Sequence, residues 1–291
     1  MKYFITGATG HLGSALVDEM STRVPASDIH LGIHDISKDS QFVGRGLQLG
    51  HVDYSDKNML TAAFWGCDTV IFIPANDPDS FHAVHDLEHL IYAAKRASVS
   101  RIISVGFIAD QLNNPFFRSA YFGYLPRRLA EETDFDWTIV RTGLYAYKLA
   151  DDLPFVSQSG ILDLPMGKDS QAPLSFITVK DVAHAITELA LNPREEDNRQ
   201  TYTLTQERSY TPNELAHLLS AVVGQPVEYH PAKPEQYIAR LKQSAITADH
   251  AELSASLYKA GSMGLLGEIT SDYEKLTGNK PQTLEDYLAT R

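Results

Sequence analysis

Residues 1–13 read Met-Lys-Tyr-Phe-Ile-Thr-Gly-Ala-Thr-Gly-His-Leu-Gly. Tyr3, Phe4 and Ile5 are the apolar, β-favouring residues of a buried strand. Thr6 to Gly13 is a glycine-rich turn entering an amphipathic helix over Leu12 to Met20. Strand, turn and helix in that order make a seat for a dinucleotide. Gly7 permits a tight turn at positive φ, Gly10 lets the backbone approach a pyrophosphate, and Gly13 lets helix and strand pack closely. The phosphates then face free N–H groups at the positive end of the helix dipole. Thr9, His11 and Leu12 lie on the same turn and are assigned to the cofactor with the three glycines. The spacing is GxxGxxG rather than GxGxxG.

Outward from this turn, strands and helices alternate. Ile29 to His34 reads as a second strand, closed by Asp35-Ile36-Ser37-Lys38, and Gly46 to Val52 as a third. Asp53 to Asp56 starts a helix through Met59, Leu60, Ala63 and Phe64. Asp68 to Ala75 is nearly all apolar, as a central parallel strand covered on both faces must be; Ile73 and Pro74 at its end run beneath the cofactor. A long helix follows over Phe81 to Ala97, with Val84, Leu87, Ile91 and Ala94 as its buried stripe. His82, His85 and His89 share another face at metal-ligand spacing, but no acidic or cysteine partner completes the set. That face is read as solvated or subunit-contacting, so no metal is assigned and a homodimer stays open. Arg101 to Gly106 is the next strand, and its end, Gly106 with Phe107 and Ile108, is expected to open into the nicotinamide pocket, because ligands bind outside the carboxyl ends of parallel strands.

At 291 residues the chain is long enough for a nucleotide domain and a smaller lobe sharing one core. With 37 acidic against 25 basic side chains, its charge of -12 repels phosphate backbones and anionic membranes, which disfavours direct nucleic-acid binding. One cysteine, Cys67, rules out an intramolecular disulfide. No charged-then-apolar leader or membrane-length apolar run is present, so the expected compartment is the cytoplasm.

The Thr-Gly-Ala-Thr-Gly stretch at the N-terminus resembles the short-chain dehydrogenase/reductase superfamily, especially its atypical and extended branches. In that setting Asp53 and Tyr54 match the acid and bulky residue that frame the adenine; the alternative for Asp53 is a helix N-terminal acid. Asp35 stands where an acid takes the ribose 2′-hydroxyl of NAD, whereas His34, where relatives commonly carry arginine, and Lys38 suit the 2′-phosphate of NADP. The balance leans slightly to NADP(H) over NAD(H). Most members carry a serine after the fifth strand and a Tyr-xxx-Lys pair whose lysine lowers the tyrosine pKa. Here the serine position falls on Gly106, and Tyr124 pairs with Arg128, while Pro126, read as the first turn of a helix, leaves Tyr124 just outside it. Tyr124 is the candidate catalytic proton donor, with aromatic pocket wall or packing as the alternative. Alcohol oxidation and epimerisation need a strong base, so they are disfavoured; a quinone needs only hydride and a proton from water.

Thr138-Ile139-Val140-Arg141-Thr142-Gly143-Leu144-Tyr145 is similar to the Thr-Ile-x-Arg-x-Gly-x-Tyr of the NmrA-like family of atypical short-chain reductases. Ser175 to Ala183, Tyr202 to Thr205, Tyr210 to Leu215 with its capping box and first-turn Pro212, Gly224 to Tyr229, and Gly264 to Tyr287 extend the likeness along the chain. The last of these looks like the close of the NAD(P)H:quinone oxidoreductase 2-like subgroup. The resemblance implies a Rossmann-type doubly wound parallel sheet over 1–141 and a smaller C-terminal α/β lobe over 142–291 that returns strands to it. It also implies hydride transfer from NAD(P)H to quinones or similar small-molecule acceptors, with Phe107, Tyr124, Tyr145 and Lys148 around the acceptor. Lys148 and Arg127 replace the family's asparagine and glutamate; they are read as surface residues, or as suiting an anionic acceptor. The rival functions are a non-catalytic NAD(P)-sensing regulator and, third, a nucleotide-sugar epimerase.

Overall fold

The computed structural model describes residues 1–168, 170–244 and 246–291. The first half alternates strands and helices as β1 (Tyr3–Ile5), α1 (His11–Ser21), β2 (Ile29–Ile33), β3 (Gln48–His51), α2 (Lys57–Phe64), β4 (Thr69–Phe72), α3 (Ser80–Arg96), β5 (Arg101–Phe107), α4 (Ser119–Ala130) and β6 (Asp136–Thr142). The second half begins with β7 (Leu144–Tyr145), α5 (Ala146–Asp151), α6 (Leu153–Ser159), β8 (Ile161–Leu162), β9 (Leu174–Ile177) and α7 (Val179–Leu191). It continues through β10 (Gln200–Leu204), β11 (Ser209–Tyr210), α8 (Pro212–Val223) and β12 (Glu228–Tyr229) to α9 (Pro234–Gln243), α10 (Ala248–Ser262), α11 (Asp272–Thr277) and α12 (Leu284–Leu288).

Seven strands form one sheet in the order β10-β6-β5-β4-β1-β2-β3, every pair parallel. Phe4 of β1 lies in register between His30 of β2 and Val70 of β4. The strand order reverses between β1 and β4, and the crevice outside their carboxyl ends is where such sheets bind ligands. This is a Rossmann-type α/β fold. Alternate residues point to opposite cores: Phe4, Val70, Phe72 and Ile102 to the layer of α2, α3 and α4, and Tyr3, Ile5, Ile71, Ile103 and Val105 to α1 and α7. Both faces being dry explains why these strands read as continuous apolar runs. The expected returning strand is β10, paired with β6. Smaller sheets, β11-β9-β7 and β12-β8, organise the rest of the second half.

Element boundaries differ from the sequence reading in physically informative ways. The apolar stretch 68–75 stays in the sheet only to Phe72, and Ile73 leaves it at the switch point. The motif 138–145 spans two strands, β6 and β7, parted at Gly143, where an added Cβ would lie 3.0 Å from the Ser175 carbonyl. On α3 the buried stripe is Ala83, Leu87, Leu90, Ile91, Ala93 and Ala94, with Val84 only half-buried. Most consequentially, α4 starts at Ser119, so Pro126 lies inside the helix and Tyr124 on it. Proline costs that helix one backbone bond, which burial of Tyr121, Phe122, Leu125 and Leu129 on its inner face offsets. The capping box of α8 forms as read, Thr211 with Glu214 and Pro212 in the first turn. No helix among the described residues is long and apolar enough to cross a membrane.

Candidate active site

The glycine-rich turn sits at the carboxyl end of β1 and is braced from below. Gly7 has φ +60°, and a Cβ there would press on Ile73 at 3.2 Å. Thr6 ties the turn to the end of β4: its hydroxyl donates to the Ile73 carbonyl (3.1 Å) and accepts from the Ile73 N–H (2.8 Å). At Gly13 an added Cβ would stand 2.1 Å from the Gly7 carbonyl oxygen, so only glycine lets α1 close on the turn. Gly10 is exposed, with nothing nearer to a built Cβ than the Gly7 carbonyl at 3.4 Å. It is the N-cap of α1, and no side chain caps that end. These residues fit a dinucleotide: the first-turn N–H groups of α1 are left for a ligand, and the residue nearest it lacks a side chain. Leu12 is buried at 5%, so its side chain belongs to the core and its backbone alone faces the turn.

Tyr54, expected against the adenine, is buried; its hydroxyl accepts a hydrogen bond from the Gly7 N–H at 3.1 Å and supports the turn from underneath. Asp53 stays at the surface, its carboxylate accepting from the N–H and hydroxyl of Ser55, which hold it below the usual carboxylate range. At the adenosine end Asp35 does the same with Ser37, capping residues 36–41, and its pKa is lowered by those bonds. Lys38 stands 3.5 Å from Asp35. The His34 ring lies parallel to that of His51, 6.4 Å away, so a second histidine joins this end of the site.

Ile73, Pro74 and Phe107, the residues expected at the nicotinamide, gather at the carboxyl ends of β4 and β5. Gly106 is explained by its neighbour strand: a Cβ there would sit 3.2 Å from Ile139 Cγ2 and 3.3 Å from Arg141 Cγ. Arg141 runs from β6 to Asp110 (2.8 Å), Glu268 (3.1 Å) and the Thr203 hydroxyl (2.8 Å), linking the end of β5, β6 and β10 to the C-terminal segment. Phe107 packs on Phe116 and Phe122, both 5.7 Å away.

The hydroxyl of Tyr124 donates to Glu88 on α3 at 2.7 Å, and Arg128 Nε donates to the same oxygen at 2.7 Å. Tyr124 and Arg128 thus meet through a carboxylate between α3 and α4, and the bond to Glu88, with burial, raises the tyrosine pKa instead of lowering it. Tyr145 is pushed up to about 12 by burial. Lys148 and Arg127 are exposed, Lys148 with its ammonium 5.3 Å from the Tyr147 ring. His82 pairs with Asp77 at 3.0 Å, His85 packs on His89, and His89 bonds the Tyr54 carbonyl. No group of three metal-ligating side chains is assembled among the described residues.

Sequence reasoning missed Tyr147, whose ring stacks on His11 at 4.3 Å and parallel to Tyr145 at 5.7 Å, joining α5 to the glycine-rich turn. It also missed the Arg141–Asp110 pair and Arg118. Arg141 was visible only as one letter of a motif, and nothing local marked the other residues.

A parallel doubly wound sheet with an uncapped, glycine-lined helix start at its switch point defines a dinucleotide-binding protein. The chain belongs to the NmrA-like family, whose model matches residues 2–288. It is 24% identical over 284 residues to an NAD(P)H azoreductase of Xenophilus azovorans, covering 97% of this chain and 95% of that one. Among solved structures, a Staphylococcus aureus protein described as a nucleoside-diphosphate-sugar epimerase superposes with TM-score 0.88 at 33% identity over 99% of this chain and 100% of that one. The NADPH complex of an Escherichia coli NADPH-dependent quinone oxidoreductase gives 0.87 at 24% identity, over 99% of each chain.

Proposed function

We propose that quinones or similar electron acceptors receive hydride at this site, the chain itself being an NAD(P)H-dependent oxidoreductase. The observation that carries the acceptor class is the state of the β5 end. Gly106, pressed by Arg141, stands in place of a serine, and the Tyr124 hydroxyl is held by Glu88. A site built so has no group prepared to strip a proton from an alcohol, which suits acceptors that need none removed. The quinone oxidoreductase and azoreductase relatives support the same class.

In this reading Gly7, Thr9, Gly10, His11 and the backbone of Leu12 and Gly13 hold the pyrophosphate. His34 and Lys38 hold the adenosine end with a lean to NADP(H), Asp53 meets the adenine, and Ile73, Pro74, Gly106 and Phe107 seat the nicotinamide. When bound, the dinucleotide supplies hydride. Phe107, packed on Phe122, and Tyr145, parallel to Tyr147, would supply aromatic surfaces that exclude water and align a flat acceptor. Tyr145, neutral at physiological pH, donates a hydrogen bond without titrating. Residues 1–141 act as the cofactor domain and 142–291 as the acceptor lobe.

The test is steady-state oxidation of NADPH and NADH with a panel of small quinones and azo compounds. No turnover with any acceptor, despite tight dinucleotide binding, overturns the acceptor reading in favour of a cofactor-sensing regulator. Turnover of a nucleotide sugar favours the activity ascribed to the S. aureus neighbour.

A further inference from the structure

Arg118, at the N-terminus of α4, is buried at 6% exposure, yet its Nε and Nη2 make no hydrogen bond. Its guanidinium lies over two rings, 5.1 Å from the centre of Phe122 and 5.6 Å from that of Tyr121. Cation–π contact of this kind satisfies the faces of a guanidinium and leaves its in-plane N–H groups unmet. Asp77 is the carboxylate whose charge reaches it. Asp77 spends its oxygens on the Asp79 N–H and on His82, and no ion pair joins it to Arg118 among the described residues. The Tyr121 hydroxyl, fully buried beside it, also lacks a partner. Three buried N–H and O–H groups with nothing to donate to therefore lie in one place, and an arginine stays charged there. Leaving a buried charge without an acceptor is costly, so such a group persists where something else supplies the acceptor.

The unmet atoms also have a shape. Nε–H and Nη2–H are the two parallel donors on one edge of the guanidinium, the fork that matches two oxygens of one anionic group. The fork lies close to the proposed acceptor site, since Phe122 under Arg118 is also the ring packed on Phe107. The segment carrying it, between β5 and α4, is irregular and bears exposed Leu112 and Phe117.

We propose that Arg118, assisted by the Tyr121 hydroxyl, is a two-point anchor for an anionic oxygen group, a sulfonate or carboxylate, carried by an aromatic acceptor lying against Phe107 and Phe122. This rests on the reductase reading for the word acceptor, while the anion site stands on Arg118 itself. It gives the pocket a preference for aromatic anions that the overall charge of -12 opposes.

The experiment measures equilibrium binding of naphthalene-2-sulfonate and its neutral isostere naphthalene-2-sulfonamide to the full chain, with and without NADP+. Wild type, Arg118→Met, Arg118→Gln and Arg118→Lys are compared, with melting curves as the check on folding. The wild type should prefer the sulfonate by about tenfold or more, as a charge-assisted pair of hydrogen bonds implies. Arg118→Met and Arg118→Gln should bind the two probes alike, and Arg118→Lys, charged but unforked, should fall between. The sulfonate should raise the melting temperature of the wild type and not of Arg118→Met. Equal binding of both probes by the wild type, or a sulfonate preference that survives in folded Arg118→Met or Arg118→Gln, overturns the proposal; if neither of these folds, Arg118→Lys with an undiminished preference does so. Quinone turnover without a sulfonate preference sinks the anchor and spares the reductase reading; the preference without quinone turnover does the reverse.

Discussion

Alanine at Gly10 and at Gly13 separates two roles of one glycine motif. At Gly13 the new methyl would lie 2.1 Å from the Gly7 carbonyl oxygen and 2.6 Å from Ala8 Cα, both backbone, so the turn must move bodily. Overpacking of that severity costs about 3 kcal/mol or more, which for a chain of this size lowers Tm by roughly 6 °C or more. At Gly10 the backbone is at φ -83° and ψ 173°, open to any residue, and the methyl meets only the Gly7 carbonyl at 3.4 Å. Loss of glycine as N-cap costs about 0.5–1 kcal/mol, and the stiffer unfolded chain returns about as much, so the net change is small. Gly10→Ala should therefore melt within about 2 °C of wild type. If a pyrophosphate rests on the Gly10 α-carbon, the methyl takes the place of its oxygens and NADPH affinity falls about tenfold or more, which is about 1.4 kcal/mol. Thermal melting with and without NADPH, together with titration of nicotinamide fluorescence, reads both quantities. A Gly10→Ala protein that binds NADPH as well as wild type refutes the placement of the pyrophosphate.

Three further outcomes follow from the geometry. Tyr124→Phe removes a hydroxyl already committed to Glu88, so quinone turnover at pH 7 should stay within about twofold of wild type; a loss of a hundredfold would show that Tyr124 is the proton donor after all. Lys38→Ala should weaken NADPH several-fold and leave NADH unchanged, with the difference shrinking as salt is raised, as expected of an exposed charge contact; equal effects on both cofactors would remove Lys38 from the 2′-phosphate site. Burial pushes Asp152, bonded to Arg240 at 3.0 Å, up to about 6. The folded state then binds a proton there that the unfolded chain has released, so this group's contribution to stability is greatest below about pH 4 and is lost as pH rises through 6, on the order of 3 kcal/mol in all. Denaturant titrations at pH 4.5 and 7.5 should show wild type losing about 2 kcal/mol more than Asp152→Asn over that interval, and parallel pH dependences would exclude it.

The turn at Gly7 to Gly13 was legible because each glycine answers a local demand. Positive φ, the approach of α1 and the uncapped helix start all follow from residues within thirteen positions of one another. The apolar strands were legible as runs, and their ends were not, because a strand stops where its neighbours stop. Tyr54 shows the limit at a single residue: its place after β3 suggested an adenine wall, while its hydroxyl found the Gly7 N–H across the sheet.

By itself, then, the sequence determined the class of fold and the strand, glycine-rich turn and helix that open it, since these depend on periodicity, glycine conformation and helix ends. Only the tertiary structure decided how the side chains at the carboxyl ends of β5 and β6 are partnered. The Tyr124 hydroxyl is engaged by Glu88, thirty-six residues away and on another helix. A side chain at Gly106 would press on Ile139 and Arg141 of the next strand. The folded chain buries Arg118 against Tyr121 and Phe122 and, among the described residues, brings no carboxylate to its edge. Partners for charged side chains are chosen by packing between distant segments, and no local pattern of residues records that choice.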